Sequence, residues 1–157
     1  MLDRIEKIIK ESGSFFAGLL LSAMTVVVFL QVVFRFVIKG SLPWSEELAR
    51  YLMVWATFIG AGLAAANNAH IGVEFFVKLF GPRASKLFLT LTYLVVMATS
   101  LVLVNYSWVI VNYQIKTGQV SPAMAIPMVI PYLALPVGII YMAICFTLAY
   151  CRNIKNF

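Results

Sequence analysis

Residues 43–50 read Pro-Trp-Ser-Glu-Glu-Leu-Ala-Arg, and this polar stretch opens a long apolar run. Glu46 and Arg50 are four residues apart, so on a helix they share a face, with the acid on the N-terminal side where such a pair is more favourable. Both glutamates fall in the first turn, where the helix dipole favours negative charge. Either Ser45 caps this helix or Pro43 is its first residue, and the spacing leaves both open. The stretch predicts a helix whose entrance is fixed at a membrane surface.

Neighbouring residues extend this polar site. Arg35 ends the preceding apolar run, and we expect it to reach the second glutamate, Glu47. Trp44 belongs to the residue type that is enriched at membrane–water interfaces, so we expect it to anchor the site there. We therefore predict an ion-pair cluster at the membrane boundary. Two interpretations remain open: the cluster contacts a partner protein, or it only sets the depth of the helix in the bilayer.

The composition is that of an integral membrane protein. The 157 residues are 62% hydrophobic and 11% charged, whereas a soluble domain is about half apolar and about a quarter charged. The apolar residues form uncharged runs long enough to cross a hydrocarbon layer about 30 Å thick. The net charge of +6 lies in the loops and at the termini, where it reports membrane orientation rather than nucleic-acid binding.

We predict one membrane domain, 1–157, that is all α-helical with four transmembrane helices. Its elements are an amphipathic helix (1–13), span one (14–34), span two (46–66), a short interfacial helix (71–80), span three (87–111) and span four (126–150). The 71–80 segment is too short to cross the bilayer. Pro127, Pro131 and Pro136 remove backbone donors and predict a kink or local unwinding in span four.

Small residues in span two predict close helix packing. Ala56, Gly60 and Ala64 recur every four residues, with Thr57, Ala61 and Ala65 beside them, and in lipid small residues let helix backbones approach. We expect span two to be the packing centre. His70 follows this span and is the only histidine, which excludes a two-histidine haem site or a histidine-rich metal site. We interpret His70 as a helix-end or partner-contact residue.

The basic residues predict the orientation. Eight of the 12 lysines and arginines fall at the N-terminus, between spans two and three, or at the C-terminus. Cytoplasmic loops are enriched in these residues, so both termini are expected in the cytoplasm. The polar stretch at 43–50 then faces outward, and His70 faces inward.

The sequence lacks the motifs of several function classes. It has no glycine-rich phosphate loop and no paired nucleophile and base, so we predict that it is not an enzyme and holds no cofactor or metal. No span carries an ionisable residue in its middle, where ion-coupled carriers and proton relays keep one. The chain is therefore expected to be a subunit. The alternatives are an autonomous four-helix exporter and a haem-bearing membrane anchor.

Several motifs along nearly the whole chain are shared with one known family. They are Gln31 with Arg35, the 43–50 stretch, Phe58-Ile59-Gly60-Ala61, His70-Ile71-Gly72-Val73, Ser121-Pro122, Ile126-Pro127 and Leu135-Pro136-Val137-Gly138. Together they resemble the small membrane subunit of TRAP transporters (tripartite ATP-independent periplasmic transporters, DctQ type) of the bacterial inner membrane.

The resemblance implies two partner proteins in addition to membrane lipid. In such systems a large multi-spanning subunit carries the substrate and sodium sites. A periplasmic binding protein captures an organic acid, such as a C4-dicarboxylate, a sugar acid or sialic acid. The resemblance implies that the small subunit is a non-catalytic scaffold for the large elevator subunit and helps to dock the binding protein. Arg35, Trp44, Glu46, Glu47, Arg50, Gly60 and His70 are then the expected structural or partner-interface residues.

Overall fold

The computed structural model describes residues 2–67 and 82–155, and nearly all of them are helical. The elements are α1 (Leu2–Val33), continued by a π-helical turn (Phe34–Ile38), α2 (Pro43–Ala66), α3 (Pro82–Thr117), α4 (Val129–Tyr132) and α5 (Ala134–Lys155). Four segments are long and apolar enough to cross a membrane: Glu6–Ile38, Pro43–Ala66, Lys86–Thr117 and Val129–Ile154. The predicted all-α fold with four spans is confirmed. The predicted interfacial helix at 71–80 and His70 lie outside the described residues.

The four long helices pack as an open row. Contacts join α1 to α2, α2 to α5, and α5 to α3. Among the described residues, α1 and α3 make no close backbone approach, so the row does not close into a bundle. The short α4 packs where the adjoining ends of α2, α3 and α5 meet. The predicted packing centre is confirmed to the extent that α2 is an inner helix with a neighbour on either side.

The start of α1 and the end of α5 lie at the same end of the helix axes. Near one terminus Glu6 forms an ion pair with Arg152, which is near the other. At the opposite end of the helices, α2 meets the segment that leads into span four, where the Tyr51 hydroxyl lies 3.3 Å from Sδ of Met128. The two inner helices therefore run parallel, and α1 and α3 run antiparallel to them.

Close packing between the inner helices depends on two glycines. A Cβ at Gly62 would overlap the ring of Tyr141, and one at Gly138 would overlap the side chain of Phe58. Tyr141 continues across α2 and donates a hydrogen bond of 3.1 Å to the carbonyl of Ile9 on α1. Because hydrocarbon gives helices no hydrophobic reason to associate, this close approach supplies the packing energy.

Of the small residues predicted to pack, only Ala56 and Ala65 are buried. Ala56 is buried, but Ala64 is exposed and a Cβ at Gly60 would meet no atom within 4 Å. An α-helix has 3.6 residues per turn, so positions four apart drift by about 40° around the axis. Gly60 and Ala64 therefore turn away from α5, whereas Gly62 and Ala65 are buried on the side that faces α5. Gly60 faces open space among the described residues. Its predicted role at an interface with another protein therefore stays a prediction.

The N-terminal segment is not separated from the first span, because α1 runs through residue 13 without a break. The amphipathic helix at 1–13 is therefore not confirmed as an element of its own. An amphipathic surface helix is expected to expose its charged residues and to bury its apolar ones. Here Glu6 is only 9% exposed, whereas Ile8 is 58% exposed. Glu6 accepts from Lys10 at 2.7 Å and from Arg152, which also donates to the Ala66 carbonyl at 3.3 Å. This Glu6 cluster joins α1, α2 and α5.

The predicted break in span four is confirmed. Residues 126–128 are not helical, and the helix is interrupted again at Leu133, between α4 and α5. Pro136 follows the interruption and has no N–H for the Tyr132 carbonyl, which therefore lacks its usual helical partner. The Leu133 carbonyl still accepts from the Val137 N–H at 3.2 Å and starts α5.

Replacing Gly62 and Gly60 by alanine should have opposite effects. Gly62→Ala forces the new methyl group into Tyr141, and overpacking of this kind costs about 1–3 kcal/mol. Gly60→Ala meets open space and should gain up to about 1 kcal/mol of helix propensity. The free energy of unfolding of the detergent-solubilised chain, titrated with a denaturing detergent, measures both. Equal effects would contradict the assigned packing face.

Glu6 should matter more to stability than Glu11 on the same helix. Glu6→Ala leaves Lys10 and Arg152 without their carboxylate, and breaking a fully buried pair costs about 3–5 kcal/mol. We expect a smaller loss, because the Arg152 side chain is 33% exposed. Glu11→Ala removes only the exposed pair with Lys7, so less than about 1 kcal/mol should be lost. The same unfolding titration compares them, and an equal loss would refute the role of the cluster.

Candidate functional site at the start of α2

The polar stretch at 43–50 forms the first two turns of α2. Pro43 is the first helical residue, and Leu42 occupies the N-cap position without a side-chain cap. Ser45 is fully buried, and its hydroxyl donates to the Leu42 carbonyl at 2.7 Å. Of the two starts that the sequence left open, the structure has the proline start. Its fixed φ angle suits the first turn, where its missing N–H costs nothing.

The two glutamates have different roles in the structure. Glu46 forms the predicted pair with Arg50 at 3.3 Å, and both side chains are about 70% exposed, at 71% and 68%. An exposed pair of this kind contributes about 0.2–1 kcal/mol. Trp44, two residues before Glu46, is 37% exposed. The pair is therefore a surface feature and contributes little to the fold.

Glu47 binds a loop that the sequence did not connect to it. One carboxylate oxygen accepts a hydrogen bond from the Tyr51 hydroxyl. The other accepts from the backbone N–H groups of Ala123 and Met124, at 3.0 and 3.2 Å. These amides belong to the segment between α3 and α4, so Glu47 holds that segment against the start of α2.

The 118–128 loop is itself compact. The Ser121 N–H donates to the Ile126 carbonyl at 2.8 Å, and the Met128 N–H to the Gln119 carbonyl at 2.9 Å. Ala125 has a φ of 54°, a left-handed conformation that is unfavourable for a residue with a Cβ. Its N–H donates to the Ser121 carbonyl at 3.0 Å. The loop is thus a strained turn fixed by its own hydrogen bonds and by Glu47.

The remaining predicted site residues lie apart. Among the described residues no ion pair joins Arg35 to Glu47, so this predicted contact is wrong. The Arg35 guanidinium lies 5.8 Å from the Phe36 ring centroid, while the oxygens of Glu47 are taken up by Tyr51 and the 118–128 loop. Gly60 lies ten residues beyond Arg50, about 15 Å along the helix. His70 is outside the described residues.

A groove lies beside the paired residues. Its volume is about 640 Å³, and it runs between α2 and the segment from the 118–128 loop to the start of α5. The walls are mostly apolar, with Glu46, Glu47 and Arg50 at one end. In the described part of the chain, no group of three His, Cys, Asp or Glu side chains is arranged to hold a metal ion.

Glu47→Gln should loosen the 118–128 loop. A glutamine side chain has a single acceptor oxygen, so it cannot accept from Tyr51 and from the two loop amides at once. We expect the Ala123 and Met124 amides to exchange with deuterium about ten-fold faster, since hydrogen bonds to charged groups are among the stronger ones. Exchange mass spectrometry of peptides covering 118–128 measures this. Glu46→Gln is the matched control, and similar exchange rates in the two variants would refute the role of Glu47.

Comparison with known proteins identifies the family. A family profile described as the DctQ component of tripartite ATP-independent periplasmic transporters matches residues 24–156. A Haemophilus influenzae protein described as a TRAP transporter small permease is 29% identical over 108 residues, 69% of this chain and 66% of that protein. The C4-dicarboxylate TRAP transporter small permease protein DctQ of Vibrio cholerae is 23% identical over 101 residues, 64% of this chain and 44% of its own length.

A third relative is a larger protein. The sialic acid TRAP transporter permease protein SiaT of Haemophilus influenzae is 26% identical over 100 residues, which are 64% of this chain but only 16% of SiaT. The matched segment thus spans from about a sixth to about two thirds of these relatives. Since the family profile covers most of the sequence, the chain belongs to the DctQ component family of tripartite ATP-independent periplasmic transporters.

Proposed function

We propose that this chain is the small membrane subunit of a sodium-coupled TRAP-type secondary transporter for organic acids. It acts as a non-catalytic scaffold for a large elevator subunit in the bacterial inner membrane, with both termini in the cytoplasm. The substrate class is inferred from the names of two relatives. One is named as a subunit of a C4-dicarboxylate transporter and the other as the permease of a sialic acid transporter. Sodium binding and substrate translocation belong to the large subunit, and a periplasmic binding protein delivers the acid.

The observation that carries the proposal is the absence of ionisable residues from the interiors of the spans. Residues 12–34, 51–67, 87–115 and 117–151 contain no Asp, Glu, Lys, Arg or His. Ion-coupled carriers use such groups, or unwound helix segments, near the bilayer midplane. Among the described residues, the helix interruption at Leu133 has no ionisable residue within it. This absence supports assigning energy coupling to a partner subunit rather than to this chain.

The site at the start of α2 is consistent with a docking role. Glu46 and Arg50 contribute little to the fold, so their exposure leaves both charges available to another protein. On the proposed orientation, these charges, Trp44 and the 118–128 loop face the periplasm. Their place at the membrane boundary allows contact both with the large subunit and with a binding protein that arrives from the aqueous side.

Reconstitution tests the proposed function. Liposomes with this chain, the co-expressed large subunit and the binding protein should accumulate a labelled organic acid when a sodium gradient is applied, whereas liposomes with this chain alone should not. Arg50→Ala should lower recovery of the large subunit with the tagged chain about ten-fold, the change that about 1.4 kcal/mol of binding free energy produces. Lys116→Ala, another exposed cation, is the control.

Three outcomes would count against the proposal. Solute accumulation by the chain alone would make it an autonomous transporter. Failure of the large subunit to co-purify with the wild-type chain would remove the scaffold role. Normal recovery and normal uptake with Arg50→Ala would limit the Glu46–Arg50 pair to setting the depth of α2.

A further inference from the structure

Two methionines of this chain lie where water can reach them. Six methionines fall in the described part of the chain, and two of these, Met124 and Met128, lie in the 118–128 loop. The other four lie within the membrane spans: Met24, Met53, Met97 and Met142. Oxidants such as hydrogen peroxide are polar, and transfer of a polar group from water to hydrocarbon is unfavourable. A water-borne oxidant therefore reaches the two loop methionines in preference to the others.

Met128 faces the groove between α2 and the loop. It lines this groove together with Glu47 and Tyr51, and its side chain is partly exposed. The volume of the groove is about 640 Å³, whereas one molecule of liquid water occupies about 30 Å³. The charged side chains of Glu46, Glu47 and Arg50 lie at one end, which water therefore reaches. A molecule as small as hydrogen peroxide thus has room to approach the sulfur of Met128.

The sulfur of Met128 contacts the hydroxyl group that supports Glu47. The Tyr51 hydroxyl lies 3.3 Å from Sδ of Met128 and donates a hydrogen bond to the Glu47 carboxylate. The same carboxylate accepts from the backbone N–H groups of Ala123 and Met124. A phenolic hydroxyl has a single proton, and a carboxylate is a much stronger acceptor than a thioether. With Met128 reduced, the proton of Tyr51 is therefore directed to Glu47.

Oxidation of Met128 places a stronger acceptor beside that proton. The thioether sulfur attacks one oxygen of hydrogen peroxide, an S–O bond forms and the O–O bond breaks. The proton of the transferred oxygen passes to the other oxygen, which leaves as water. The sulfur is oxidised by two electrons and the peroxide is reduced by two. The product is a polar sulfoxide, and its oxygen, bonded to a sulfur 3.3 Å from the Tyr51 hydroxyl, is within hydrogen-bonding reach of that group.

We propose that Met128 is an oxidation-sensitive site, at which conversion of the thioether to the sulfoxide withdraws the Tyr51 hydroxyl from Glu47 and loosens the loop. Glu47 then keeps its bonds to the two loop amides but loses the donor that orients its carboxylate. The left-handed φ of 54° at Ala125 favours loosening, because that conformation is unfavourable for a residue with a Cβ. Methionine sulfoxide reductases reverse the modification. The inference goes beyond the proposed transport role and does not depend on it.

Treatment of the full chain in lipid nanodiscs with hydrogen peroxide tests the proposal. Peptide mass spectrometry locates the added oxygen, and hydrogen–deuterium exchange of peptides covering 118–128 reports on the loop. We expect oxidation at Met128 and loop exchange about five-fold faster, because Glu47 loses one of its hydrogen bonds. Subsequent treatment with methionine sulfoxide reductases should restore the original exchange rate.

Leucine variants separate the effects of the two loop methionines. Leucine has nearly the volume of methionine, so the exchange is well tolerated, and it has no sulfur to oxidise. Met128→Leu should keep its slow loop exchange after peroxide treatment, whereas Met124→Leu should respond as the wild-type chain does. Tyr51→Phe removes the hydroxyl group, so its loop should exchange faster before treatment and should change no further when Met128 is oxidised.

Each of four results would overturn the proposal. Unchanged loop exchange in a sample with oxidised Met128 would show that the sulfoxide does not affect Glu47. An equal response to peroxide in the wild-type chain and in Met128→Leu would assign the effect to another group. A wild-type response in Tyr51→Phe would exclude the hydroxyl from the mechanism. Reduced Met128 in a sample with oxidised Met124 would show that peroxide does not reach the sulfur in the groove.

Discussion

Hydrocarbon offers no hydrogen-bond partner to the backbone and no stabilisation to a charge, and the structure of this chain depends on that constraint. The backbone satisfies itself in long helices. Hydroxyl groups within the spans bond to the preceding turn, as Thr25, Thr57 and Thr99 do to the carbonyls four residues before them, each at 2.8 Å. The Asp, Glu, Lys and Arg residues are confined to the ends of the spans and to the segments between them. Helix contact must then come from close packing, which the glycines facing Tyr141 and Phe58 provide.

The charged residues at the two ends of the helix axes have different roles in the structure. At the end with the termini, the Glu6 carboxylate is largely buried and joins three helices through Lys10 and Arg152. At the other end, Glu46 and Arg50 form an exposed ion pair. The Glu47 carboxylate accepts hydrogen bonds from the backbone of the 118–128 loop. A buried cluster whose partners come from different helices stabilises the fold, whereas an exposed pair on one helix leaves the fold nearly unchanged. The Glu6 cluster thus holds three helices together, whereas the Glu46–Arg50 pair contributes little to the fold.

The sequence predicts those features that depend on local spacing or composition. The four spans, the proline break and the Glu46–Arg50 pair are of this kind, because each follows from residues close together in the chain. The Glu6–Arg152 pair and the Glu47–Ala123 contact join residues 146 and 76 positions apart, and no pattern in one sequence identifies such partners. The i+4 series through Gly60 failed for a geometric reason, since a helix turns once every 3.6 residues and not every four.

An open row has consequences that a closed bundle does not. In a closed bundle, each helix turns a face towards a shared interior, and that interior is where a cofactor or a substrate site is built. Here the described parts of α1 and α3 do not meet, so the spans share no such interior, and the inner helix α2 keeps an uncovered face. The broken backbone around Leu133 borders that same side of α2. The groove and the exposed face from Met53 to Ala64 therefore lie on one helix, whose remaining sides pack against α1 and α5.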